Sequence, residues 1–278
     1  MELFDTHCHI HEAARPMDGD DPTRALWAKL AACVDAAPEA ILARAHEAGV
    51  TRLLCVGCTT ADSGRAVQFA AKHQNVWASI GIHPHEAAAH LKDPALLAQF
   101  KELLASEPVR ANIVAVGECG LDYFYTHSPK RDQEKILRFQ FELALAHDLP
   151  MVFHVREAFG DFWPIFDEYK GVRGVVHSFT ATQKELDEAL ARGLYVALNG
   201  IMTFTKKQEQ LDAAKAVPSN RLLLETDAPF LTPYPFRDTI CEPKHTCVTA
   251  EFLAHLRGER LTDLAQTTTA NARKLFGV

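Results

Sequence analysis

The sequence predicts an α/β protein folded as a (β/α)8 barrel of the TIM type, with residues 1–278 forming a single domain. Eight short apolar runs alternate with longer stretches of helical periodicity, as expected for eight β-then-α units. The runs are continuously apolar, which is typical of strands buried on both faces of a parallel sheet. No G-x-G-x-x-G turn follows the early runs, so the alternative of an open dinucleotide-binding sheet lacks its usual motif.

The predicted elements cover the chain from end to end. The strands are residues 2–7, 51–57, 76–82, 112–118, 150–155, 174–179, 194–199 and 221–227. The clearest helices are residues 38–48, 129–147, 182–192, 245–257 and 262–275. Pro38 suits the first turn of its helix, and Gly49 and Gly193 act as stop signals. The segment 11–37, which contains MDGDDP, is irregular, and we expect a long loop with one short helix after the first strand.

Composition and charge narrow the class of protein. The chain is 47% hydrophobic and 23% charged, which is typical of a soluble globular protein. It has no apolar run long enough to span a membrane and no signal-peptide pattern at its start, so we expect a cytoplasmic location. We also expect a monomer without a stable protein partner. A net charge of −7 disfavours nonspecific binding to duplex nucleic acid, but bound cations can still allow a nucleic-acid substrate.

The seven cysteines are scattered and are expected to be reduced thiols. Cys55 and Cys58 form a C-x-x-C, but they end a strand and do not precede a redox helix, so no redox role is predicted. Cys241 and Cys247 flank His245 without a second Cys/His pair nearby, so we do not expect a closed zinc site.

Polar side chains occur at the ends of six predicted strands. They are His7 and His9 on strand one, His83 and His85 on strand three, Glu118 on strand four, His154 on strand five, His177 on strand six and Asp227 on strand eight. A lone histidine at a strand end is usually structural, but the carboxyl ends of barrel strands form one face, where catalytic groups gather. Because buried carboxylates and imidazoles need partners, we predict a metal site built from four of these six histidines and the two carboxylates.

The sequence resembles the TatD family of metal-dependent hydrolases, within the wider amidohydrolase-like barrels. The matching motifs occur in the family's order along nearly the whole chain. They include FDTHCHIH (4–11), GIHPHEA (81–87), VAVGECGLDY (114–123), FHVREA (153–158), VVHSFTA (175–181), LNGIMTF (198–204), LLLETDAPFL (222–231) and NARKLFG (271–277).

The resemblance implies two divalent metal ions. His7, His9 and Asp227 are the expected ligands of the first, and His154 and His177 are those of the second. Glu118 is expected to bridge the two ions with its two carboxylate oxygens. Carboxylate oxygens favour Mg or Mn, although a set with four histidines also suits Zn, Ni or Fe.

The resemblance also implies a phosphodiesterase, specifically a 3'-5' exodeoxyribonuclease acting on single-stranded DNA or frayed ends. In this reading Asp227 accepts the proton of the attacking water, and Arg156 offers a planar fork to phosphate oxygens. His83 donates to the substrate or the leaving oxygen, whereas His85 is expected outside the ligand set. The aromatic run 123–125 either stacks on a base or packs under a loop.

Two other functions are compatible with these motifs. The same two-metal site could hydrolyse an amide, a lactone or an aminoacyl ester. Related barrels of that kind often carry a carboxylated lysine on strand four, where this chain has Glu118, which favours the phosphodiesterase. A non-catalytic metal-binding protein is the third possibility, but it would have no chemical need for six ligands.

Overall fold

The computed structural model describes residues 1–14 and 22–278, and its single sheet contains the eight predicted strands in chain order. The strands are β1 (Leu3–Cys8), β2 (Val50–Val56), β3 (Val76–Ile80), β4 (Ile113–Asp122), β5 (Met151–Arg156), β6 (Gly174–Val176), β7 (Tyr195–Leu198) and β8 (Leu222–Leu224). The strand pairs are parallel, and a parallel bridge between Cys8 and Ala228 joins β1 to the segment after β8. The predicted (β/α)8 barrel is therefore confirmed.

Helices separate the strands. They are α1 (Pro22–Ala31), α2 (Pro38–Glu47), α3 (Thr60–Ala70), α4 (Ala87–Lys92), α5 (Pro94–Ala105), α6 (Glu107–Arg110), α7 (Lys130–Ala146), α8 (Phe159–Glu168), α9 (Gln183–Ala191), α10 (Gln208–Ala216), α11 (Thr246–Arg257) and α12 (Leu261–Phe276). The five clearest predicted helices correspond to α2, α7, α9, α11 and α12, whose ends differ from the prediction by at most one residue. Short 3-10 turns cover Ile10–Ala14, Pro84–Glu86, Gly200–Thr203, Ser219–Arg221 and Pro243–His245.

The segment after β1 contains more helix than the sequence suggested. The 3-10 turn Ile10–Ala14 follows β1, and α1 occupies ten residues of the predicted loop. Trp27 and Leu30 of α1 are buried, and the indole N–H of Trp27 donates to the His9 carbonyl at 3.2 Å. Most of the MDGDDP stretch lies outside the described residues.

Strand β4 extends to Asp122, four residues beyond its predicted end at Glu118. The additional residues pair with β5, with Gly120 opposite His154 and Asp122 opposite Arg156. A Cβ atom at position 120 would lie 1.8 Å from the His154 carbonyl oxygen, and Gly120 has a φ of 149°. Only glycine allows this close approach of the two strands, which positions Asp122 at the end of β4.

The described residues pack as two compact units, each of which contains two stretches of chain. The first contains Met1–Cys55 and Ser178–Lys274, and the second contains Val56–His177 and Leu275–Val278. The three expected ligands of the first metal lie in the first unit, and Glu118, His154 and His177 lie in the second. The expectation of a single domain over residues 1–278 stays a prediction.

In the part of the chain that the structure describes, no helix combines the length and the apolar character needed to cross a membrane.

Candidate metal centre

The first cluster brings together two histidines at the end of β1, His7 in the strand and His9 just after it, and the aspartate that follows β8. The Nε2 atoms of His7 and His9 lie 3.5 and 3.4 Å from Oδ1 of Asp227. One potential ligand atom from each of the three residues lies within 4.8 Å of the other two. The side chain of His7 is fully buried, whereas that of Asp227 is 18% exposed. The cluster is therefore a buried group of two imidazoles and a carboxylate that reaches solvent at the aspartate.

Backbone pairing fixes this arrangement. His7 lies in β1 and His9 directly follows it, so the two side chains are two residues apart and project to one side, while the thiol of Cys8 between them donates to a carbonyl of β2. The Asp227 N–H donates to the His7 carbonyl at 2.8 Å, and the His9 N–H donates to the Ala228 carbonyl at 2.8 Å. The segment after β8 thus continues the sheet beside β1 and holds the carboxylate against both rings.

A buried carboxylate beneath the cluster ties the same two segments together. Asp5 accepts the N–H of Thr226 at 2.9 Å and its hydroxyl at 2.6 Å. The same carboxylate accepts the N–H of His7 at 3.3 Å. Burial raises the pKa of Asp5 well above its usual value, although the hydrogen bonds from Thr226 and His7 oppose that shift. Asp5 therefore positions residues on both sides of the first cluster.

Asp227 has an unusual backbone conformation. Its φ of 63° lies in the left-handed region, which is uncommon for residues other than glycine. Such a conformation costs of the order of 1 kcal/mol or more and persists only where surrounding contacts hold it. Besides its own N–H bond to His7, Asp227 accepts the N–H of Phe230 through its carbonyl at 2.9 Å. The conformation directs the Asp227 side chain toward His7 and His9.

The second cluster is built from Glu118 in β4, His154 in β5 and His177, which directly follows β6. Oε1 of Glu118 lies 2.8 Å from Nδ1 of His154 and 2.8 Å from Nε2 of His177. These two imidazole nitrogens are 3.1 Å apart. All three side chains are less than a fifth exposed. One carboxylate oxygen and two imidazole nitrogens thus converge within hydrogen-bonding distance of each other.

Asp122 determines the orientation of His154. Oδ2 of Asp122 lies 3.1 Å from Nε2 of His154 and 3.0 Å from Nε2 of His85. An ionised carboxylate only accepts hydrogen bonds, so His154 must donate through Nε2. A neutral His154 then presents the lone pair of Nδ1 to Glu118. Carboxylates that hold a ligating histidine in this way also fix its tautomer in known metal sites.

The charge state of Asp122 is consistent with this role. Burial alone would raise its pKa, but hydrogen bonds from His154, His85 and the Tyr125 amide hold it far below the usual value. Burial also favours a neutral His154, whereas Asp122 and Glu118 raise the pKa of that imidazole above its ordinary value. Asp122 is therefore a stable acceptor for both histidine rings.

His83 lies beside the second cluster as a hydrogen-bond donor. Its Nδ1 accepts the backbone N–H of His85 at 3.2 Å, so a neutral imidazole carries its proton on Nε2. That Nε2 is 3.5 Å from Oε1 of Glu118. Burial lowers the pKa of His83 well below its usual value, although Glu118 opposes this. His83 therefore points an N–H group toward the cluster.

Both clusters fit divalent cations by their chemistry. Nitrogen and oxygen ligands lie about 2.0–2.1 Å from such an ion, which separates tetrahedral ligands by about 3.4 Å and octahedral ones by about 3.0 Å. The first cluster has separations of 3.4 and 3.5 Å, and the second has 2.8, 2.8 and 3.1 Å.

Sequence reasoning missed two residues that contact the second cluster, Asp122 and Cys58. Asp122 was visible only as the second acidic residue in GECGLDY, and the two histidines that it contacts lie 32 and 37 positions away in sequence. Cys58, considered only as part of a C-x-x-C, has its thiol 3.5 Å from Oε2 of Glu118. His85, which was expected outside the ligand set, contacts Asp122, the residue that orients His154.

Arg156 ends β5, two residues beyond His154, and stacks on aromatic rings. Its guanidinium carbon lies 4.1 Å from the centre of the Phe124 ring and 4.7 Å from that of Tyr125. These two rings are 49% and 45% exposed, so they are not core residues under a loop. Tyr123 differs, because it is only half-exposed and Lys130 covers its ring at 3.7 Å. The second unit therefore presents an arginine and two rings beside its cluster.

We expect Asp122→Asn to weaken metal binding at the second cluster about 10- to 100-fold while the fold persists. Asparagine has the same shape, but its neutral amide holds the Nε2–H of His154 less strongly. Titration with Mn²⁺, followed by electron paramagnetic resonance, measures the affinity. Asp187→Asn, an exposed carboxylate on α9, is the matched control. Equal Mn²⁺ affinity in the wild type and Asp122→Asn would show that Asp122 has no such role.

A barrel whose strand ends carry histidine and carboxylate clusters defines a metal-dependent hydrolase, and comparison with known proteins specifies its family. The profile of the family described as TatD related DNase matches residues 4–277. The chain belongs to the TatD family of metal-dependent hydrolases and is an enzyme acting on ester bonds.

Individual relatives cover nearly the same length. The chain is 34% identical over 278 residues to the uncharacterized metal-dependent hydrolase YabD of Bacillus subtilis, covering 99% of both chains. It is 36% identical over 246 residues to the 3'-5' ssDNA/RNA exonuclease TatD of Cronobacter sakazakii, covering 85% of this chain and 90% of that one. The crystal structure of YjjV, a TatD homolog from Escherichia coli, matches with a TM-score of 0.85 and 27% identity, covering 99% and 98%.

Proposed function

We propose that this enzyme is a 3'-5' exonuclease that removes nucleotides from single-stranded DNA or frayed ends. The observation that carries the proposal is that Arg156 stacks on Phe124 and Tyr125, whose amides bond to Asp122, the residue that contacts His154 of the second cluster. An arginine fork recognises phosphate oxygens, and exposed rings stack on unpaired bases. A relative named as a 3'-5' ssDNA/RNA exonuclease supports both the substrate and the polarity.

Each cluster is proposed to hold one divalent cation, Mg or Mn by preference and Zn, Ni or Fe as alternatives. The first set is His7, His9 and Asp227, and the second is Glu118, His154 and His177. When bound, these cations would acidify water and polarise the phosphoryl group of the substrate. They would also supply positive charge at the site of a chain whose net charge is −7.

The protein's own groups have three roles in this mechanism. Asp227, which is partly exposed and lies beside His7 and His9, accepts the proton of the attacking water. Arg156 holds non-bridging oxygens of the scissile phosphate with its planar fork. His83, whose Nε2–H points toward Glu118, donates a hydrogen bond to the substrate or the leaving oxygen.

The preference for single strands follows from the shape and charge of the protein. Catalytic groups of a (β/α)8 barrel lie among the loops at the carboxyl ends of its strands, so the scissile phosphate must enter between them. A continuous stiff duplex would meet the loops first. The net negative charge offers little to hold a duplex against salt, whereas Phe124 and Tyr125 can stack on a splayed base.

The test compares cutting of a single-stranded oligomer, the same sequence in a blunt duplex and a closed circular duplex, with Mg, Mn and Zn in turn. We expect the single strand to be cut fastest, and a label at its 5' end should give a ladder that shortens from the 3' end. Phosphorothioate linkages at the 3' end should slow this ladder. Faster cutting of the closed circle would contradict the proposal.

An aminoacyl ester and an amide substrate belong in the same experiment, because the two-metal chemistry could also serve them. If the enzyme hydrolyses either substrate but cuts no oligomer, the nuclease assignment is wrong and the alternative hydrolase assignment takes its place. The cytoplasmic location and monomeric state expected from the sequence stay predictions.

We expect Arg156→Lys to lower kcat/KM on the single strand roughly tenfold. Lysine keeps the positive charge but loses the bidentate fork and the planar group that stacks on the two rings. Arg173→Lys, a substitution of an exposed arginine that pairs with Asp148, is the matched control. If Arg156→Lys has unchanged kinetics on every phosphate substrate, Arg156 does not bind phosphate and its role is structural.

A further inference from the structure

The loops that follow β7 and β8 carry a second group of exposed aromatic and basic side chains. In the described part of the chain, only four aromatic side chains rank among the exposed large apolar residues. Phe124 and Tyr125 follow β4, and Tyr234 and Phe236, 65% and 44% exposed, follow β8. The four rings therefore occur as two pairs, each on a loop that follows a strand.

The second pair also has a stacked arginine. The guanidinium carbon of Arg237 lies 3.8 Å from the centre of the Phe204 ring, on the loop after β7. Its Nη1 donates to the Thr232 carbonyl at 2.7 Å, which fixes the side chain across both loops. We call the group formed by Phe204, Tyr234, Phe236 and Arg237 the β7–β8 surface.

Hydrogen bonds between and within the two loops hold the β7–β8 surface in place. The Tyr234 N–H donates to the Thr203 hydroxyl at 2.7 Å, and that hydroxyl donates to the Gly200 carbonyl at 2.7 Å. A Cβ atom at Gly200 would lie 2.3 Å from the Leu231 carbonyl oxygen, so the two loops approach each other closely. Tyr234 is thus held outward by backbone contacts, and a ligand would not have to order it first.

Charge on the two loops is opposite to that of the whole chain. Residues 200–207 and 231–240 contain the basic residues Lys206, Lys207 and Arg237 and one acidic residue, Asp238, while the chain has a net charge of −7. All four of these side chains are exposed. A basic surface with outward rings is complementary to a polyanion that offers unpaired bases.

The β7–β8 surface also lies next to the first cluster. Phe230, which donates its N–H to the Asp227 carbonyl, has its ring 6.4 Å from that of His9. Tyr234 follows four residues later on the same loop. Loops that follow the strands of a (β/α)8 barrel lie at the face where catalytic groups gather.

We propose that the β7–β8 surface binds the single-stranded nucleic acid beyond the nucleotide being removed. Tyr234 and Phe236 stack on its bases, and Arg237, Lys206 and Lys207 contact its phosphates. This inference rests on the proposed nuclease function for its biological meaning, but its binding component can be measured separately. It predicts that affinity depends on strand length, because a short strand cannot reach the surface.

The first test measures binding of a fluorescent oligothymidylate of about 12 nucleotides to the intact protein in Ca²⁺, by anisotropy. Tyr234→Ala should weaken binding roughly 5- to 150-fold, as expected for the loss of one stacked base. The loss should be smaller for a dinucleotide. Leu145→Ala, which also removes an exposed large side chain, is the control for general surface effects.

A second variant tests the charged part of the surface. In the double variant Lys206→Gln and Lys207→Gln, the slope of log affinity against log salt should become about 1.4 shallower if both lysines contact phosphates. Lys72→Gln with Lys101→Gln, two exposed lysines on other parts of the chain, should leave the slope unchanged.

The outcomes separate this inference from the proposed function. If the wild type cuts single strands while neither variant changes binding, the β7–β8 surface has no role and the nuclease assignment stands. If the wild type does not cut but binds in a Tyr234-dependent way, the surface stands and the nuclease assignment fails. A dimer in sedimentation that Tyr234→Ala dissociates would overturn the inference in favour of a second copy of the chain.

Discussion

Asp227→Asn is expected to lower kcat on single-stranded DNA by about 10²- to 10⁴-fold while the protein stays folded. Asparagine keeps the shape of the side chain, but it cannot accept a proton and offers the first cluster no negative charge. The backbone bonds of residue 227 to His7 and Phe230 do not involve the side chain, so the local conformation should persist.

The measurement is steady-state cutting at saturating Mn²⁺, together with circular dichroism to follow the thermal midpoint. Saturating metal separates the two roles of Asp227, because excess ion compensates for weaker binding but not for the missing base. Asp187→Asn on α9 controls for the loss of a surface charge. A rate equal to that of the wild type at saturating metal would show that Asp227 is neither the base nor a required ligand.

Glu118→Gln should remove the metal of the second cluster, with an affinity loss of at least about 10²-fold. Loss of a residue that only supports a ligand costs about 10- to 100-fold, and a direct ligand should cost more. Oε1 of Glu118 is the atom to which both His154 and His177 come within 2.8 Å. Without its charge, the two imidazoles lose the anion that completes the site, and cutting should fall to near background.

Metal content after dialysis, measured by plasma mass spectrometry, tests this expectation directly. The prediction is two bound ions per chain in the wild type and one in Glu118→Gln. Glu142→Gln, on the exposed side of α7, is the control. An unchanged metal content with unchanged cutting would contradict the assignment of Glu118 as a ligand.

The sequence predicted the strands well because burial on both faces leaves a strong signal. The eight continuous apolar runs all correspond to strands of the sheet. The predicted end of β4 at Glu118 was wrong, because this polar residue interrupts the apolar run while the strand continues to Asp122. What continues the strand is the close pairing of Gly120 with β5, which depends on a segment far along the chain.

The candidate ligands could be located because they occupy strand ends, and a barrel brings strand ends together. The supporting residues could not be located in the same way. Asp122 and Cys58 acquire their roles only from contacts with residues that are 32 to 60 positions away in sequence. No local pattern distinguishes such an aspartate or cysteine from one that merely faces solvent.

The carboxylate of Asp122 has a consequence for how this enzyme can diversify. One of its oxygens orients His154, and the other accepts the N–H groups of Phe124 and Tyr125 at 2.9 and 2.8 Å. The loop that presents the rings is therefore anchored on the group that holds a ligand. Lengthening or exchanging that loop to alter base preference would also change the affinity for the metal ion. Base preference and metal affinity are therefore expected to change together. Loop grafting among homologues should succeed only when the Asp122 turn is transferred with the loop.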